Sequence, residues 1–268
     1  MNYQMIVLDL DGTLMTSRNE ITERTKNSLI RLQERGGKDV LASGRPPKGI
    51  HPLAELLELP KYGSFILAFN GSRIYDCRDY KCIFERNLPT AVIPELYHFA
   101  VDNGFSILAY DEENIYSSPR PIHYCDYETK VNNISIKEME NFVSDINFPI
   151  PKCLIVGDPE KAVLLEEKLK KRYHGILNIS RSMPFFIEVN PRNTDKGNSL
   201  MCLLNGMGVN PEQVVCCGDG GNDIPMIETA GLGVAMGNAG DDVKAAADFI
   251  TRSNDNNGIA YVIDKFML

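Results

Sequence analysis

The stretch Met5-Ile-Val-Leu-Asp-Leu-Asp-Gly-Thr-Leu14 is the part of this 268-residue chain from which its fold class can be inferred. Five of its first six residues are apolar, which is typical of a short strand buried on both faces of a parallel sheet. Asp9 and Asp11 follow at the carboxyl end of this strand, where open α/β sheets bind their ligands. Gly12 permits a sharp turn, so both carboxylates can face one site.

Two carboxylates brought this close repel each other unless a positive charge lies between them. Mg²⁺, a hard cation that prefers oxygen ligands, is the natural candidate. Beside such an ion, one carboxylate can attack phosphorus to form an aspartyl-phosphate, while a second acid protonates the leaving oxygen. A lone Asp-x-Asp can equally end a strand in a turn, so the remainder of the chain must decide between these interpretations.

The composition is that of an ordinary globular protein. A formal net charge of −8 argues against a non-specific binder of nucleic acid or anionic membranes, because such proteins are usually basic. No apolar run approaches the ~20 residues needed to span a bilayer, and no secretory leader pattern precedes the first strand. The seven cysteines lack metal-ligand spacing and are expected to be reduced. We therefore expect a cytoplasmic monomer without nucleic-acid or membrane partners.

The order of predicted elements indicates a discontinuous domain. Strands and helices alternate up to a strand at Phe65–Phe69, which implies a parallel sheet flanked by helices. The segment 84–184 is richer in Tyr, Asn and Pro and is predicted to be an α+β module, with a helix near 136–146. The first pattern returns with Phe185-Phe-Ile-Glu-Val189. We expect a Rossmann-like α/β core formed by residues 1–83 and 185–268, with the α+β domain 84–184 inserted in it.

Four polar clusters fall at strand ends or helix starts of this predicted core. They are Asp9 with Asp11, Ser43-Gly44, Lys196, and the segment Gly218-Asp-Gly-Gly-Asn-Asp223. Ser43-Gly44 offers a hydroxyl and backbone N–H groups to phosphate oxygens. Lys196 adds a positive charge at a helix N-terminus, which itself favours anions. Each cluster alone has a structural explanation, such as a turn or a cap. Their occurrence together in this order favours a phosphate site.

These clusters resemble the four motifs of the haloacid dehalogenase superfamily, and more narrowly of its Cof-type (IIB) sugar-phosphate phosphatases. The matching segments are Asp9-Leu-Asp-Gly-Thr-Leu14, Ala42-Ser-Gly-Arg45, Lys196-Gly197, Gly218–Asp223, Asn70-Gly71, Ala230–Ala239, Ala245–Asp248 and Asn254–Ala260. The resemblance covers the whole chain, although the middle module matches only in position and size. It implies a core with an inserted cap, here 84–184, that excludes water and reads the leaving group.

The resemblance implies a metal site built from four aspartates. Asp9 would be the nucleophile and a metal ligand. Asp11 would be the general acid/base and a ligand through its backbone carbonyl. Asp219 would bind Mg²⁺ directly, and Asp223 would support the metal, either directly or through water.

The resemblance also implies a phosphate site. The Ser43 hydroxyl, together with backbone groups of Leu10 and Gly44, would hold the phosphoryl group, and Lys196 would neutralise its charge. Asn222 would orient the phosphate or an aspartate. Ser43 stands where many relatives have threonine, and both residues provide the hydroxyl that this role needs.

Contacts to the rest of the substrate are expected from basic and aromatic side chains outside the motifs. The candidates are Arg45 and Lys48 on the core side, and Arg120, His123, Tyr124 and Arg181 in the inserted module. Each of these residue types is also common at ordinary protein surfaces.

Three hypotheses for function follow. The first is a Mg²⁺-dependent phosphatase that hydrolyses small phosphorylated metabolites, with sugar phosphates favoured. The second is a phosphohexomutase of the same fold, in which Asp9 shuttles phosphate within one sugar. The third is a phospho-acceptor or sensor module, against which Asp11 argues, because an acid/base there would shorten the life of the aspartyl-phosphate. Dehalogenation is disfavoured, because it does not need Mg²⁺, whereas a site with Asp11, Asp219 and Asp223 is suited to a cation.

Overall fold

The computed structural model describes residues 3–119 and 122–268, which form two compact units. The first unit comprises residues 3–44 with His51–Phe84 and Asp195–Leu268, and the second comprises Arg45–Ile50 with residues 85–119 and 122–194. Each unit has its own β-sheet and its own apolar core.

The elements are numbered in chain order. The strands are β1 (Met5–Leu8), β2 (Lys38–Ala42), β3 (Phe65–Ala68), β4 (Arg73–Asp76), β5 (Lys81–Glu85), β6 (Ser106–Tyr110), β7 (Ile115–Ser117), β8 (Ile136–Glu138), β9 (Cys153–Val156), β10 (Leu177–Met183), β11 (Phe186–Pro191), β12 (Val214–Gly218), β13 (Leu232–Ala235) and β14 (Phe249–Ile250). The helices are α1 (Glu23–Glu34), α2 (Pro47–Leu56), α3 (Leu59–Tyr62), α4 (Ile93–Asp102), α5 (Asp126–Asn132), α6 (Phe142–Asp145), α7 (Pro159–Arg172), α8 (Lys196–Met207), α9 (Ile224–Thr229), α10 (Asp241–Ala246) and α11 (Gly258–Phe266).

The first unit contains an eight-stranded sheet in the order β14-β13-β12-β1-β2-β3-β4-β5. Strand β1 pairs in parallel with β12 on one side and with β2 on the other, so that Leu8 lies opposite both Cys217 and Leu41. The chain proceeds from β1 towards β3 in one direction and from β12 towards β14 in the other. The boundary between β1 and β12 is therefore the topological switch point, whose carboxyl edge is the usual ligand site of such sheets.

The burial of β1 explains its apolar sequence. Met5 and Val7 belong to the core cluster that packs against α8, and the alternate residues Ile6 and Leu8 are also fully buried. A strand covered on both faces has no solvent side and therefore reads as a continuous apolar run. This confirms the expected α/β class of the first unit.

The sequence predicts a helix from about Glu23 to Arg35 with Thr22 as its N-cap, and helix α1 begins at that position. The Thr22 side chain caps it by accepting a hydrogen bond from the backbone N–H of Thr25. Leu29 and Leu32 are buried, and the helix ends before Gly36, whose φ of +88° is accessible to glycine at little cost.

The antiparallel hairpin of β4 and β5 was not predicted. The chain reverses after β3 through Asn70 (φ 55°) and Gly71 (φ 91°), and Ala68 then lies opposite Arg73 in the antiparallel ladder of β3 and β4. Strand β5 alternates exposed and half-buried residues at the edge of the sheet. Such short, mixed strands carry only a weak apolar signal.

The second unit contains a six-stranded sheet in the order β10-β11-β9-β6-β7-β8, antiparallel except between β7 and β8. Its apolar core combines side chains of α4, α6 and α7 with alternate strand residues, among them Ile107, Ile155 and Ile187. The unit therefore has the predicted α+β character.

The structure moves the boundary expected at residue 184. Strand β11 was assigned to the first sheet on the basis of its apolar run. Its backbone instead pairs with β10 and β9 of the second sheet, and its Ile187 and Val189 side chains lie in the second core. The second unit consequently extends to Thr194. An apolar run shows that a strand is buried but does not show which sheet buries it.

The single helix expected near 136–146 is also corrected. The chain there forms the strand β8 and then the one-turn helix α6, and α5 was not anticipated. Strand β8 has exposed or half-buried side chains at the edge of its sheet, and only Phe142 of α6 is buried. Little of this segment is held by apolar burial, so its hydrophobic periodicity is uninformative.

All seven cysteines are free thiols, and Cys216 and Cys217 are fully buried in β12 as small core residues. Within the described ranges, the helices are too short or too polar for any of them to cross a bilayer.

Candidate active site

The carboxyl edge of the first sheet gathers side chains that are far apart in sequence. Asp9 directly follows β1 and Asp219 directly follows β12, and these two strands are parallel neighbours. Asp223 closes the short 3-10 turn after β12, and Lys196 is the first residue of α8. The side chain of Asp195 caps α8 by accepting a hydrogen bond from the backbone N–H of Asn198, which orients the helix start.

Lys196 joins two of these carboxylates. Its Nζ atom donates to Asp9 Oδ1 at 2.5 Å and to Asp223 Oδ1 at 2.6 Å. The lysine is fully buried, and Asp223 is 1 % exposed. A buried charge needs a partner, and here one ammonium group serves two carboxylates.

The electrostatics of the site follow from burial and crowding. Burial raises the pKa of Asp9 well above its usual value, and the nearby Asp223 carboxylate raises it further, while Lys196 opposes both effects. Burial also raises the pKa of Asp219 to about 6, against a hydrogen bond from Thr13 that lowers it. Burial by itself would lower the pKa of Lys196, but Asp223 and Asp9 raise it above its usual value. The site therefore holds more negative charge than its lysine balances.

Three carboxylates are positioned to share a cation. Oxygens of Asp9, Asp219 and Asp223 lie within 4.8 Å of one another. Carboxylate oxygens are the donors that Mg²⁺ prefers, and the excess negative charge favours a divalent ion. The Asp11 carboxylate does not belong to this group. Its expected ligation through the backbone carbonyl stays a prediction.

Asp223 also shapes the loop that carries Asp219. Its Oδ2 atom accepts hydrogen bonds from the backbone N–H groups of Asp219 (3.0 Å) and Gly220 (2.9 Å). A Cβ atom on Gly218 would lie 2.4 Å from the Asp223 Cβ, so glycine is required for this close approach. Hydrogen bonds to both of its carboxylate oxygens thus hold the Asp223 side chain in place.

Gly12 and Thr13 bring the first motif against the fourth. Gly12 has a φ of +83°, and a Cβ atom there would lie 2.2 Å from Asp219 Oδ2. The Thr13 hydroxyl donates to Asp219 Oδ1 at 2.8 Å. Thr13 was not among the predicted site residues, although its place inside the first motif indicates a role in the site.

Asn70 connects the second and fourth motifs. Its backbone N–H donates to the Ser43 carbonyl at 2.9 Å, and its Oδ1 atom accepts from Asn222 Nδ2 at 3.3 Å. A Cβ atom on Gly44 would lie 3.1 Å from the same Oδ1 atom. Ser43 is buried and Gly44 half-buried, and they directly follow β2, the parallel neighbour of β1.

The loop after Asp11 is held by residues from the C-terminal part of the chain. Asn238 Nδ2 donates to the Gly12 carbonyl at 2.8 Å, and Asn254 Nδ2 donates to the Met15 carbonyl at 2.9 Å. Asn238 Oδ1 in turn accepts from the Asn254 backbone N–H at 3.0 Å. Leu10 is fully buried while Asp11 is exposed, with Met15 as its bridge partner. Asn238 and Asn254 lie in C-terminal segments that match the family, but their hydrogen bonds to the loop after Asp11 were not predicted.

The described substrate candidates, Arg45, Lys48, His123, Tyr124 and Arg181, lie in the second unit. Arg45 is buried and donates to the Val131 carbonyl at 3.1 Å. Lys48 forms an ion pair with Glu113 at 3.4 Å. Arg45 and Lys48 were expected on the core side. The segment Arg45–Ile50 instead belongs to the second unit, where Arg45 contacts Val131 and Lys48 contacts Glu113.

Arg181 also has an acidic partner within the second unit, Glu166 at 3.4 Å. Tyr124 stacks on Phe185, with ring centroids 5.0 Å apart, and contacts the ring of His123. Arg120 lies outside the described residues. Substrate contacts by any of these side chains stay predictions.

Comparison with known proteins agrees with this geometry. The family model for haloacid dehalogenase-like hydrolases matches residues 6–263. The chain is 31% identical over 265 residues to the 5-amino-6-(5-phospho-D-ribitylamino)uracil phosphatase YcsE of Bacillus subtilis, covering 99% of this chain and 96% of that protein. A crystal structure of a haloacid dehalogenase-like hydrolase from Bacteroides thetaiotaomicron is 45% identical, with a TM-score of 0.91 and coverage of 99% and 100%. The sugar phosphatase BT4131, of subclass IIB, is 25% identical with a TM-score of 0.84 over 98% of both chains.

The chain therefore belongs to the haloacid dehalogenase-like hydrolases. Its neighbours include the subclass IIB phosphatases, which confirms the resemblance drawn from the motifs. The protein is a hydrolase of the phosphatase type.

Proposed function

We propose that this protein is a Mg²⁺-dependent phosphatase that hydrolyses small phosphorylated metabolites through an aspartyl-phosphate. The observation that carries the proposal is the buried Lys196, hydrogen-bonded to Asp9 and Asp223 beside a third carboxylate, Asp219. Phosphoryl transfer depends mainly on positioning and on neutralising the charge of the transferred group. The first unit provides carboxylates, an ammonium group and glycine-rich loops for these tasks.

Asp9, Asp219 and Asp223 would hold the metal ion. Their oxygens are close enough to share one cation, and their combined charge exceeds that of Lys196. A bound Mg²⁺ supplies charge stabilisation for phosphoryl oxygens. Burial is the main cause of the raised pKa of Asp9 and Asp219, and such an ion would relieve the repulsion among the carboxylates that adds to it.

The first step is attack by a carboxylate oxygen of Asp9 on the phosphorus of a monoester. A bond forms between this oxygen and phosphorus while the bond from phosphorus to the leaving oxygen breaks. Asp11, which is exposed on the next turn of chain, donates its proton to the leaving oxygen, and the product alcohol departs. Lys196 and the Ser43-Gly44 segment balance and orient the charge on the phosphoryl group.

The second step hydrolyses the aspartyl-phosphate. Asp11, now a carboxylate, takes a proton from water as the water oxygen attacks phosphorus. The bond from phosphorus to the Asp9 oxygen breaks, which releases inorganic phosphate and restores the Asp9 carboxylate. Asp11 is protonated again and ready for the next ester.

The second unit is proposed to act as the cap that selects the leaving group, with phosphorylated sugars or sugar alcohols as the substrate class. Two relatives support this class. BT4131 is described as a sugar phosphatase, and the compound in the name of YcsE carries a phosphorylated ribityl chain. The cation candidates Arg45, Lys48 and Arg181 all lie in the second unit.

The test is release of inorganic phosphate from a panel of aldose, ketose and alditol phosphates, with Mg²⁺ or with EDTA. Wild type is compared with Asp9→Asn and with a matched control, Asp241→Asn, which changes an exposed aspartate of α10. We expect turnover that EDTA abolishes, that Asp9→Asn reduces by at least ~10³-fold and that Asp241→Asn leaves unchanged.

Each other outcome has a definite meaning. Turnover that persists in Asp9→Asn would exclude Asp9 as the nucleophile. Conversion of a hexose 1-phosphate to its 6-phosphate without free phosphate would establish the mutase instead. A phosphoaspartate that survives for hours would favour the phospho-acceptor.

A further inference from the structure

Among the described residues, β5 is the last strand in the order of the first sheet, so it forms one edge of that sheet. An edge strand presents backbone N–H and C=O groups on its outer side, and proteins protect or use such edges. Strand β5 is five residues long and alternates exposed and half-buried side chains. Its central residue, Ile83, is 50% exposed.

The exposed face of β5 carries a symmetrical charge pattern. Lys81, Ile83 and Glu85 point to this face, with a cation at one end, an apolar residue in the middle and an anion at the other end. In an antiparallel pair of identical strands centred on Ile83, Lys81 lies opposite the partner's Glu85, and Glu85 lies opposite the partner's Lys81. Ile83 meets the same residue of the partner. Cross-strand pairs of opposite charge and of apolar residues are both favourable.

An apolar groove opens beside β5, between the sheet and α8. It has a volume of about 220 Å³ and is lined by Ile83 and Phe84 of β5 together with Leu203 and Met207 of α8. In the register centred on Ile83, Phe84 lies opposite the partner's Cys82, so each copy places this aromatic ring beside a small apolar side chain of the other. Burial of this apolar surface would add to the backbone hydrogen bonds.

We propose that a second copy of this chain binds here, with the two β5 strands pairing antiparallel about a two-fold axis at Ile83. The contact joins two eight-stranded sheets into one continuous sheet. This isologous arrangement is closed, because each copy uses its single β5 edge. A monomer was expected from the sequence, and sedimentation of the protein decides between that expectation and the proposed dimer.

The charge pattern selects this arrangement from the alternatives. In a parallel pair in register, Lys81 would face the partner's Lys81 and Glu85 the partner's Glu85, which is repulsive at both ends. An antiparallel pair shifted by one residue would turn the apolar centre of one strand towards the other face of its partner. Only the two-fold register brings together unlike charges at both ends and apolar residues in the centre.

The experiment is sedimentation equilibrium of the full-length protein from about 5 to about 200 µM, because small interfaces are weak and concentration-dependent. The variants are Lys81→Glu, Glu85→Lys and the double variant with both changes. None of these residues belongs to the catalytic site, so thermal melting and phosphate release serve as controls for folding.

We expect the wild type to form dimers in this range. Each single variant places like charges opposite each other at both ends and should raise the dissociation constant about 10-fold. The double variant reverses both signs and should restore the wild-type value. Ile83→Asp, which brings two carboxylates together on the axis, should abolish the dimer.

Two results would overturn the proposal. One is a wild type that stays monomeric at about 200 µM, which would leave the edge to a different partner. The other is a dimer whose dissociation constant is the same in Ile83→Asp and in both single variants, which would place the interface elsewhere on the molecule.

Discussion

Lys196 carries the positive charge that the buried carboxylates of Asp9 and Asp223 require when no metal is bound. A lysine at zero exposure is unusual, and its place at the start of α8 is fixed by the Asp195 cap. The role assigned to Lys196 in phosphate binding is compatible with this geometry. The same side chain also offsets the repulsion between the Asp9 and Asp223 carboxylates.

Lys196→Met should therefore affect both stability and catalysis. Removing one partner of a buried ion pair leaves uncompensated charge, so the free energy of unfolding in EDTA should fall by ~3 kcal/mol. Loss of charge stabilisation should reduce kcat by at least ~10²-fold. Urea denaturation and phosphate release measure the two effects. Lys168→Met, at an exposed position of α7, is the matched control, and equal behaviour of the two variants would contradict the assigned role.

Asp219 gives the metal-free protein a characteristic dependence on pH. Its pKa is raised to about 6, so the folded protein holds this proton more tightly than the unfolded chain does. The resulting stabilisation is complete below the unfolded pKa of ~4 and is lost as the pH rises through about 6. In EDTA, the difference in unfolding free energy between wild type and Asp219→Asn should change by up to ~2 kcal/mol across this window.

Mg²⁺ should reverse this trend, because the ion binds the deprotonated carboxylates. Urea titrations at several pH values, with EDTA and with Mg²⁺, measure the difference. A wild-type profile that runs parallel to that of Asp219→Asn under both conditions would contradict the raised pKa.

At the level of elements, the loop between β1 and α1 depends on the C-terminal part of the chain. Asn238 and Asn254 hold the carbonyls of Gly12 and Met15, on either side of the turn that follows Asp11. Neither asparagine is proposed to touch the phosphoryl group. Their contribution is to position the backbone that follows Asp11, the proposed acid/base.

Asn254→Ala should lower kcat by ~10- to 100-fold with little change in KM, because misplacement of an acid/base affects the chemical steps most. Asn256→Ala is the matched control, since Asn256 is exposed two residues away and bonds only locally to Ser253 in the described contacts. Steady-state kinetics on the best ester of the panel decides between the two. Asn254→Gln, which keeps the amide, should recover part of the activity, whereas equal loss in all three variants would indicate a general effect on folding.

At the scale of the whole molecule, the two units have separate sheets and separate apolar cores. The proposed metal ligands Asp9, Asp219 and Asp223 all belong to the first unit. Ligand binding stabilises the structure that contains the site, by ~2.7 kcal/mol at a concentration 100 times the dissociation constant.

Mg²⁺ should therefore slow hydrogen exchange mainly in the first unit. We expect increased protection in β1, β12 and the loops that follow them, with little change in β6 and β9 of the second sheet. Exchange detected by mass spectrometry, with and without Mg²⁺, measures this. Asp219→Asn should lose most of the protection, and an equal slowing of exchange in both units would show that the metal acts on the entire molecule.

Features that depend on local sequence were predicted well. The burial of β1 follows from its apolar run, and the start of α1 follows from Thr22 as a capping residue. The four polar clusters were recognised because each follows a strand or begins a helix. Each of these signals spans only a few residues. The meeting of Asp9 and Asp219 was also predictable, because they follow β1 and β12, and the carboxyl ends of neighbouring parallel strands share one edge.

Only the tertiary structure decided which distant segments meet. It placed β11 in the second sheet, joined Arg45 to the second unit, and brought Asn238 and Asn254 to the loop after Asp11. Hydrophobic pattern determines whether a strand is buried, whereas its partner is chosen by which pairing satisfies the backbone hydrogen bonds and fills a core. That choice depends on the whole folded chain and leaves no local signal in the sequence.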